Sequence, residues 1–126
     1  VPYECLSTTL PTPAGGTIVD GTYVLTASAF YGTPCPAPEQ DRDLWLICGN
    51  NWQTVQELTA GTSPAVLHTY DANVTPAGSD SLTLALTCPS VTNVTFQYTA
   101  TPGTLTLFVG GGNAAGTGRV DTYTRQ

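Results

Sequence analysis

Ser81-Leu82-Thr83-Leu84-Ala85-Leu86-Thr87-Cys88 decides the fold, because leucine alternates with small residues through the stretch. A period of two sends one side chain inward and the next outward, the mark of a strand with one buried face. The pattern returns in Val94-Thr95-Phe96-Gln97-Tyr98, in Thr104-Leu105-Thr106-Leu107-Phe108-Val109 and in Val120-Asp121-Thr122-Tyr123-Thr124. Pro89-Ser90 and Pro102-Gly103 punctuate the first three of these, and Gly110 to Gly116 links to the last. Short links and a single apolar face predict an antiparallel sheet.

Upstream, the same grammar predicts four more strands. Gly21 to Tyr31 is the first, with Tyr23, Leu25, Ala27 and Ala29 on one face. Leu44 to Cys48 and Trp52 to Leu58 flank a Gly49-Asn50-Asn51 hairpin turn, since Gly and Asn tolerate positive φ. Val66 to Val74 is the fourth, with Val66, His68 and Tyr70 sharing a face. Gly32 to Asp41 reads as a loop, because Pro34, Pro36 and Pro38 forbid regular pairing. Residues 1–20 read as an irregular arm, and 21–126 as a single domain. No stripe at helical spacing appears, and Thr and Val disfavour helix. Eight short strands predict an all-β, up-and-down antiparallel barrel. A β-sandwich is the alternative, but its crossovers need longer links than most of these.

Charge is sparse. Nine acids face three arginines (Arg42, Arg119, Arg125) and no lysine, for a net charge of −6. Such a surface does not suit nucleic acid or anionic lipid. With 40% apolar residues the chain is not disordered by composition. No apolar run approaches the roughly 20 residues of a membrane span. The start at Val1, without a basic segment or an apolar run after it, reads as a mature secreted or periplasmic, cell-envelope product.

Cys5, Cys35, Cys48 and Cys88 contain no Cys-x-x-Cys pair and predict two disulfides rather than a metal site. In an up-and-down barrel, Cys35 in the first loop and Cys88 at the end of the fifth strand share one end. Cys48 ends the second strand at the other, where an arm preceding the first strand would bring Cys5. The expected pairs are Cys35–Cys88 and Cys5–Cys48.

Gly21-Thr22-Tyr23-Val24-Leu25-Thr26 with Tyr31-Gly32, Leu82-Thr83-Leu84 before Thr87-Cys88-Pro89, Tyr98-Thr99-Ala100-Thr101 before Thr104-Leu105-Thr106-Leu107-Phe108, and the terminal Thr122-Tyr123-Thr124-Arg125-Gln126 carry a resemblance. Over residues 15–126 the chain resembles small secreted or envelope lipocalin-like (calycin) proteins of bacteria, many of them uncharacterised. In that family a Gly-x-Trp on the first strand lies under a basic residue of the last. Here Gly21-Thr22-Tyr23 stands in the first place and Arg125 in the second, with Tyr replacing Trp. The resemblance implies a barrel and a ligand cavity, without naming a ligand.

Catalytic constellations are absent from the pattern. His68 is the sole imidazole, Asp71 faces the other side of its strand, and no Gly-x-Ser-x-Gly elbow exists. Glu39, Asp41 and Asp43 alternate as calcium ligands could, but Arg42 interrupts them and a solvated loop is the expectation. No pair of carboxylates stands in an apolar setting. No metal and no cofactor is called for. Asn73-Val74-Thr75 and Asn93-Val94-Thr95 fit the glycosylation sequon, as triplets in Thr-rich strands do by chance.

The aromatics carry the functional expectation. Tyr23, Tyr70, Phe96 and Tyr98 all fall on inward faces, with His68 in phase with Tyr70. A tyrosine in a dry core needs a partner for its hydroxyl. These rings therefore either line a cavity of about 300 Å³ or more, or plug the barrel. The leading expectation is a non-enzymatic binder of a small apolar or amphipathic molecule, with those five residues as its site. The alternative is a structural or interaction module of the envelope or an extracellular assembly. There the barrel is filled, and the threonine-rich outer face and Trp45 contact a protein partner or another copy.

Overall fold

The computed structural model describes residues 1–32, 39–60, 63–110 and 117–126. Among them are nine strands and no helix. In chain order these are β1 (Tyr3–Leu6), β2 (Gly21–Tyr31), β3 (Glu39–Cys48), β4 (Asn51–Ala60), β5 (Val66–Pro76), β6 (Ser81–Cys88), β7 (Thr92–Thr101), β8 (Thr104–Val109) and β9 (Gly118–Arg125). Strands β2 to β9 pair antiparallel in sequence order, and β9 closes back on β2. The fold is a closed eight-stranded barrel with one added strand, not a sandwich. Closure leaves the threonine-rich wall without free edges.

The added strand sits in the wall itself. β2 pairs with β3 only over Gly21 to Val24, against Leu44 to Ile47. Beyond that point the two separate. On the side of β2 away from β9, Ser28 to Tyr31 pair instead with β1, in parallel. The segment before β1 holds β3: Asp41 N–H donates to the Val1 carbonyl at 3.0 Å, and Pro2 bridges Gln40. β1 is thus a wedge between β2 and β3 that widens one end, here called the mouth. Within residues 1–20, expected to be an irregular arm, Tyr3–Leu6 form a strand and Pro2 and Gly15 make isolated bridges.

Residues after β1 return to the opposite end and cover it. Gly15 N–H donates to the Tyr98 carbonyl, and Ala100 N–H to the Gly15 carbonyl, both at 2.8 Å. Gly49 N–H donates to Asp20 Oδ1 at 2.9 Å. Beneath the arm Tyr23, Ile47, Trp52, Leu82, Leu105 and Tyr98 are buried, and a cavity of about 280 Å³ lies between the arm and Ile47, Trp52, Leu82 and Tyr98. The tyrosine hydroxyls find their partners in the arm: Tyr23 donates to the Val19 carbonyl at 2.7 Å and Tyr98 to the Gly16 carbonyl at 3.0 Å. Trp45 and Trp52 also belong to this core, edge to face with centroids 5.5 Å apart. The expectation that Trp45 contacts a partner at the surface fails on its burial.

The arm's direction corrects the cysteine pairing. Cys5 pairs with Phe30 in register, at the mouth, whereas Cys48 follows Ile47, the partner of Gly21, at the opposite end. Cys48 and Cys88 are exposed free thiols, so neither of the expected pairs, Cys5–Cys48 and Cys35–Cys88, forms. Cys35 lies outside the described residues. The error came from assuming that a segment preceding a strand must sit at that strand's start. Here it runs parallel beside the strand's far half.

Candidate functional site: the mouth of the barrel

Two sequence features build the mouth. In β2, a bulge at Thr26 shifts the register between Leu25 and Ala27. The inward series is therefore Tyr23, Leu25, Ser28 rather than Tyr23, Leu25, Ala27, Ala29. An extra residue reverses the in–out parity of everything after it. In β3, the strand begins before the expected Leu44, so the parity of Trp45 and Ile47 extends back to Asp43 and Asp41. Both point inward and are buried. The expected solvated loop with Asp41 and Asp43 is instead barrel wall. On β9 the same phase places Tyr123, Asp121 and Arg119 inside.

These residues form one polar network. The Ser28 hydroxyl donates to Asp121 Oδ1 at 2.6 Å. Arg119 Nη2 lies 2.6 Å from Asp121 Oδ2 and 3.6 Å from Asp41 Oδ2. Arg119 Nη1 donates to the Tyr3 hydroxyl at 2.6 Å, with the guanidinium 5.4 Å from the centre of the Tyr3 ring. Gln56 Nε2 donates to Asp41 Oδ2 at 3.0 Å. Asp43 takes Thr54 Oγ1 on Oδ1 at 2.5 Å and the Tyr123 hydroxyl on Oδ2 at 2.7 Å. Some capacity is left unused. Asp41 Oδ1 accepts no hydrogen bond, and Trp45 Nε1 interacts loosely with the Tyr123 hydroxyl without a bond of normal geometry.

A cavity of about 180 Å³ lies over this network. Asp43, Thr54, Gln56, Arg119, Asp121 and Tyr123 supply its polar side. Its apolar side comes from Trp45, Leu84, Leu86, Val94, Phe96 and Leu107, with Tyr70 beside them. The expected site residues therefore divide. Tyr70 and Phe96 line the cavity, half-buried. Tyr23 and Tyr98 do not line it; both lie at the opposite end, beneath the arm. His68 does not line the cavity; it stacks on Tyr70 with centroids 6.1 Å apart. Asn73 and Asn93 are exposed within β5 and β7.

Burial governs the electrostatics. It raises the pKa of Asp41, Asp43 and Asp121 above the usual carboxylate value, against the opposing pull of their hydrogen bonds. For Asp41 and Asp121 the Arg119 charge opposes it as well. The Tyr123 phenol is raised well above its ordinary value by burial and then by the Asp43 and Asp121 charges. At Arg119 burial is the largest single effect and lowers the pKa, but the combined attraction of Asp121, Tyr3 and Asp41 outweighs it and the pKa is raised. The expectation that no carboxylates share an apolar setting is thus overturned. Among the described residues, no cluster of His, Cys, Asp and Glu is arranged to hold a metal ion.

No family profile, curated protein or solved structure matches this chain. The site must therefore be interpreted from its own chemistry.

A raised carboxyl keeps its proton to higher pH in the folded state than in the unfolded one. Between about pH 3.9 and the raised value, the folded chain binds more protons, so stability falls as pH rises through that window. Asp43 is the clearest contributor, because its hydrogen-bond donors are all neutral. Asp43→Asn keeps an acceptor for Thr54 and offers a donor to the Tyr123 oxygen. It should raise the melting temperature at pH 7 by a few degrees, for about 1 kcal/mol. At pH 4 it should give no gain. Thermal unfolding across pH checks this, and a lower melting temperature for the variant at pH 7 would refute it.

Proposed function

We propose that this chain is a non-enzymatic, lipocalin-like binder that holds one small amphipathic molecule in the mouth of its barrel. The observation that carries this reading is the two-sided lining of the cavity, with aliphatic and aromatic walls above a hydrogen-bonded polar floor. Such pockets suit ligands with an apolar body and one polar end. The lipocalin-like element rests on closure of eight strands and on Arg125. This residue lies against Gly21 at the start of β2 and donates from Nε to the Asp20 carbonyl at 3.0 Å. In this reading the protein works outside the cytoplasm, as the resemblance implies.

Size narrows the ligand. At about 180 Å³ the cavity is below the roughly 300 Å³ of common ligand pockets. It exceeds the roughly 150 Å³ engineered cavity that admits benzene. A single ring with a short substituent fits; a long acyl chain or a retinoid does not, because Tyr23 and Leu105 are buried in the core beyond it.

Titration of Trp fluorescence with phenol, 2-phenylethanol and decanoate tests this, since Trp45 borders the cavity. The monocyclic probes should saturate and decanoate should not. Tighter binding of decanoate would overturn the size argument. Failure of all three, together with concentration-dependent self-association, would favour an assembly module instead. One feature supports that second reading: Leu44, Leu46, Val55 and Leu67 leave an apolar stripe on the outer wall of β3, β4 and β5.

A further inference from the structure

The chemistry of the polar floor deepens the reading just given, and the inference rests on it. Three buried carboxylates, Asp41, Asp43 and Asp121, share the mouth with one guanidinium. Arg119 uses both Nη atoms, Nη2 on Asp121 and towards Asp41 and Nη1 on Tyr3, while its buried Nε makes no hydrogen bond. Asp43 receives only neutral donors, from Thr54, Tyr123 and the Leu44 backbone. It nevertheless borders the cavity and is buried.

No other cationic side chain is placed to balance it. The sequence has no lysine. Arg42 is on the outer face, 3.6 Å from Glu57 and largely exposed. Arg125 is at the opposite end, against Gly21 and Asp20. Among the described residues, Arg119 is the sole positively charged side chain lining the cavity.

Two further observations point to a missing occupant. Trp45 Nε1, buried on the cavity wall, makes no proper hydrogen bond; Asp41 Oδ1 accepts nothing either, although Asp41 does not itself line the cavity. Buried polar atoms of this kind are normally satisfied. The apolar wall also includes the rings of Trp45, Tyr70 and Phe96, whose faces attract cations.

We propose that the mouth binds a small organic cation, an ammonium on a compact aromatic or aliphatic body, with the Asp43 carboxylate as its counter-ion. The ammonium donates to the lone pairs of Asp43 that Thr54 and Tyr123 leave free. The body fills the space between Leu84, Leu107, Phe96 and Tyr70. An anionic ligand of the same shape meets an excess of negative charge and is rejected.

Three probes of one shape test the proposal by calorimetric titration at pH 7: 2-phenylethylammonium, 2-phenylethanol and 3-phenylpropanoate. The ammonium should bind at least about tenfold more tightly than the alcohol, as a charge-assisted hydrogen bond predicts, and the carboxylate weakest. In Asp43→Asn, with its fold verified by circular dichroism, the ammonium-to-alcohol preference should shrink to about twofold or less. Equal wild-type affinities for ammonium and alcohol would overturn the cation assignment while leaving the cavity reading intact. Absence of binding by all three would overturn both. The wild-type comparison decides the class even if the variant fails to fold.

Discussion

Arg119→Ala is expected to cost about 3–5 kcal/mol at pH 7, as removal of one member of a buried ion pair does. The lost cation leaves Asp121, about 1% exposed, without its 2.6 Å partner, and weakens the support of Asp41. The penalty has a ceiling. Each stranded carboxyl can take up a proton, at about 1.4 kcal/mol per pH unit above its unfolded pKa of roughly 3.9. At pH 7 that limit is about 4 kcal/mol per group, and at pH 5 about 1.5 kcal/mol. The variant should therefore regain roughly half its loss on acidification, because the folded state then holds the protons that neutralise the site. Adding Asp121→Asn should recover much of the deficit at pH 7, since Asn accepts from Ser28 without carrying charge. Thermal unfolding at pH 5 and pH 7 reads all of these. At pH 7 the single variant should melt about 10–20 °C below the parent. A loss that does not vary with pH would show that Arg119 acts by packing its stem rather than by its charge.

The barrel was legible because its determinants are local. Leu82, Leu84 and Leu86, or Leu105 and Leu107, declare their strands by alternation alone, and the turns between them carry Pro and Gly. The charged mouth was legible in part. Extending the parity of Trp45 and Ile47 back two steps gives Asp43 and Asp41, and that of Tyr123 gives Asp121 and Arg119. The prolines at 34, 36 and 38 obscured this by drawing the loop boundary too far along. Ser28 was not legible. Its inward position depends on the bulge at Thr26, whose hydroxyl lies 3.2 Å from the Thr122 carbonyl and 3.0 Å from Thr124 Oγ1 on another strand. The wedge of β1 was not legible either. Four residues with no alternation signal insert between two strands far along the chain, and only the completed wall shows the gap they fill.

That same arm makes Gly15 the most sensitive backbone position outside the mouth. Gly15→Ala should destabilise the fold by about 2–4 kcal/mol, from two additive sources. Its φ of +66° is left-handed, a conformation that a residue with a Cβ enters at a cost of about 1–2 kcal/mol. The new Cβ would also stand 1.9 Å from the Ser79 carbonyl oxygen, and backbone cannot swing aside as a side chain can. The strand-like contact of Gly15 with Tyr98 and Ala100 would then open, and the carbonyls of Gly16 and Val19 would leave the Tyr98 and Tyr23 hydroxyls. Those phenols would be left without partners unless water entered, so damage at the cap spreads into the core beneath it. The consequence is specific in space: amide exchange should accelerate first at Ala100 and Gly49, whose N–H groups donate to the arm. The β8 and β9 amides should stay protected until global unfolding, since their ladder does not involve it. Gly49→Ala is the matching control, because its Cβ would meet nothing within 4 Å and only the positive φ is penalised. If the two variants lost equal stability, the arm would be a passive cover and the hydroxyl contacts would contribute little to closing the barrel.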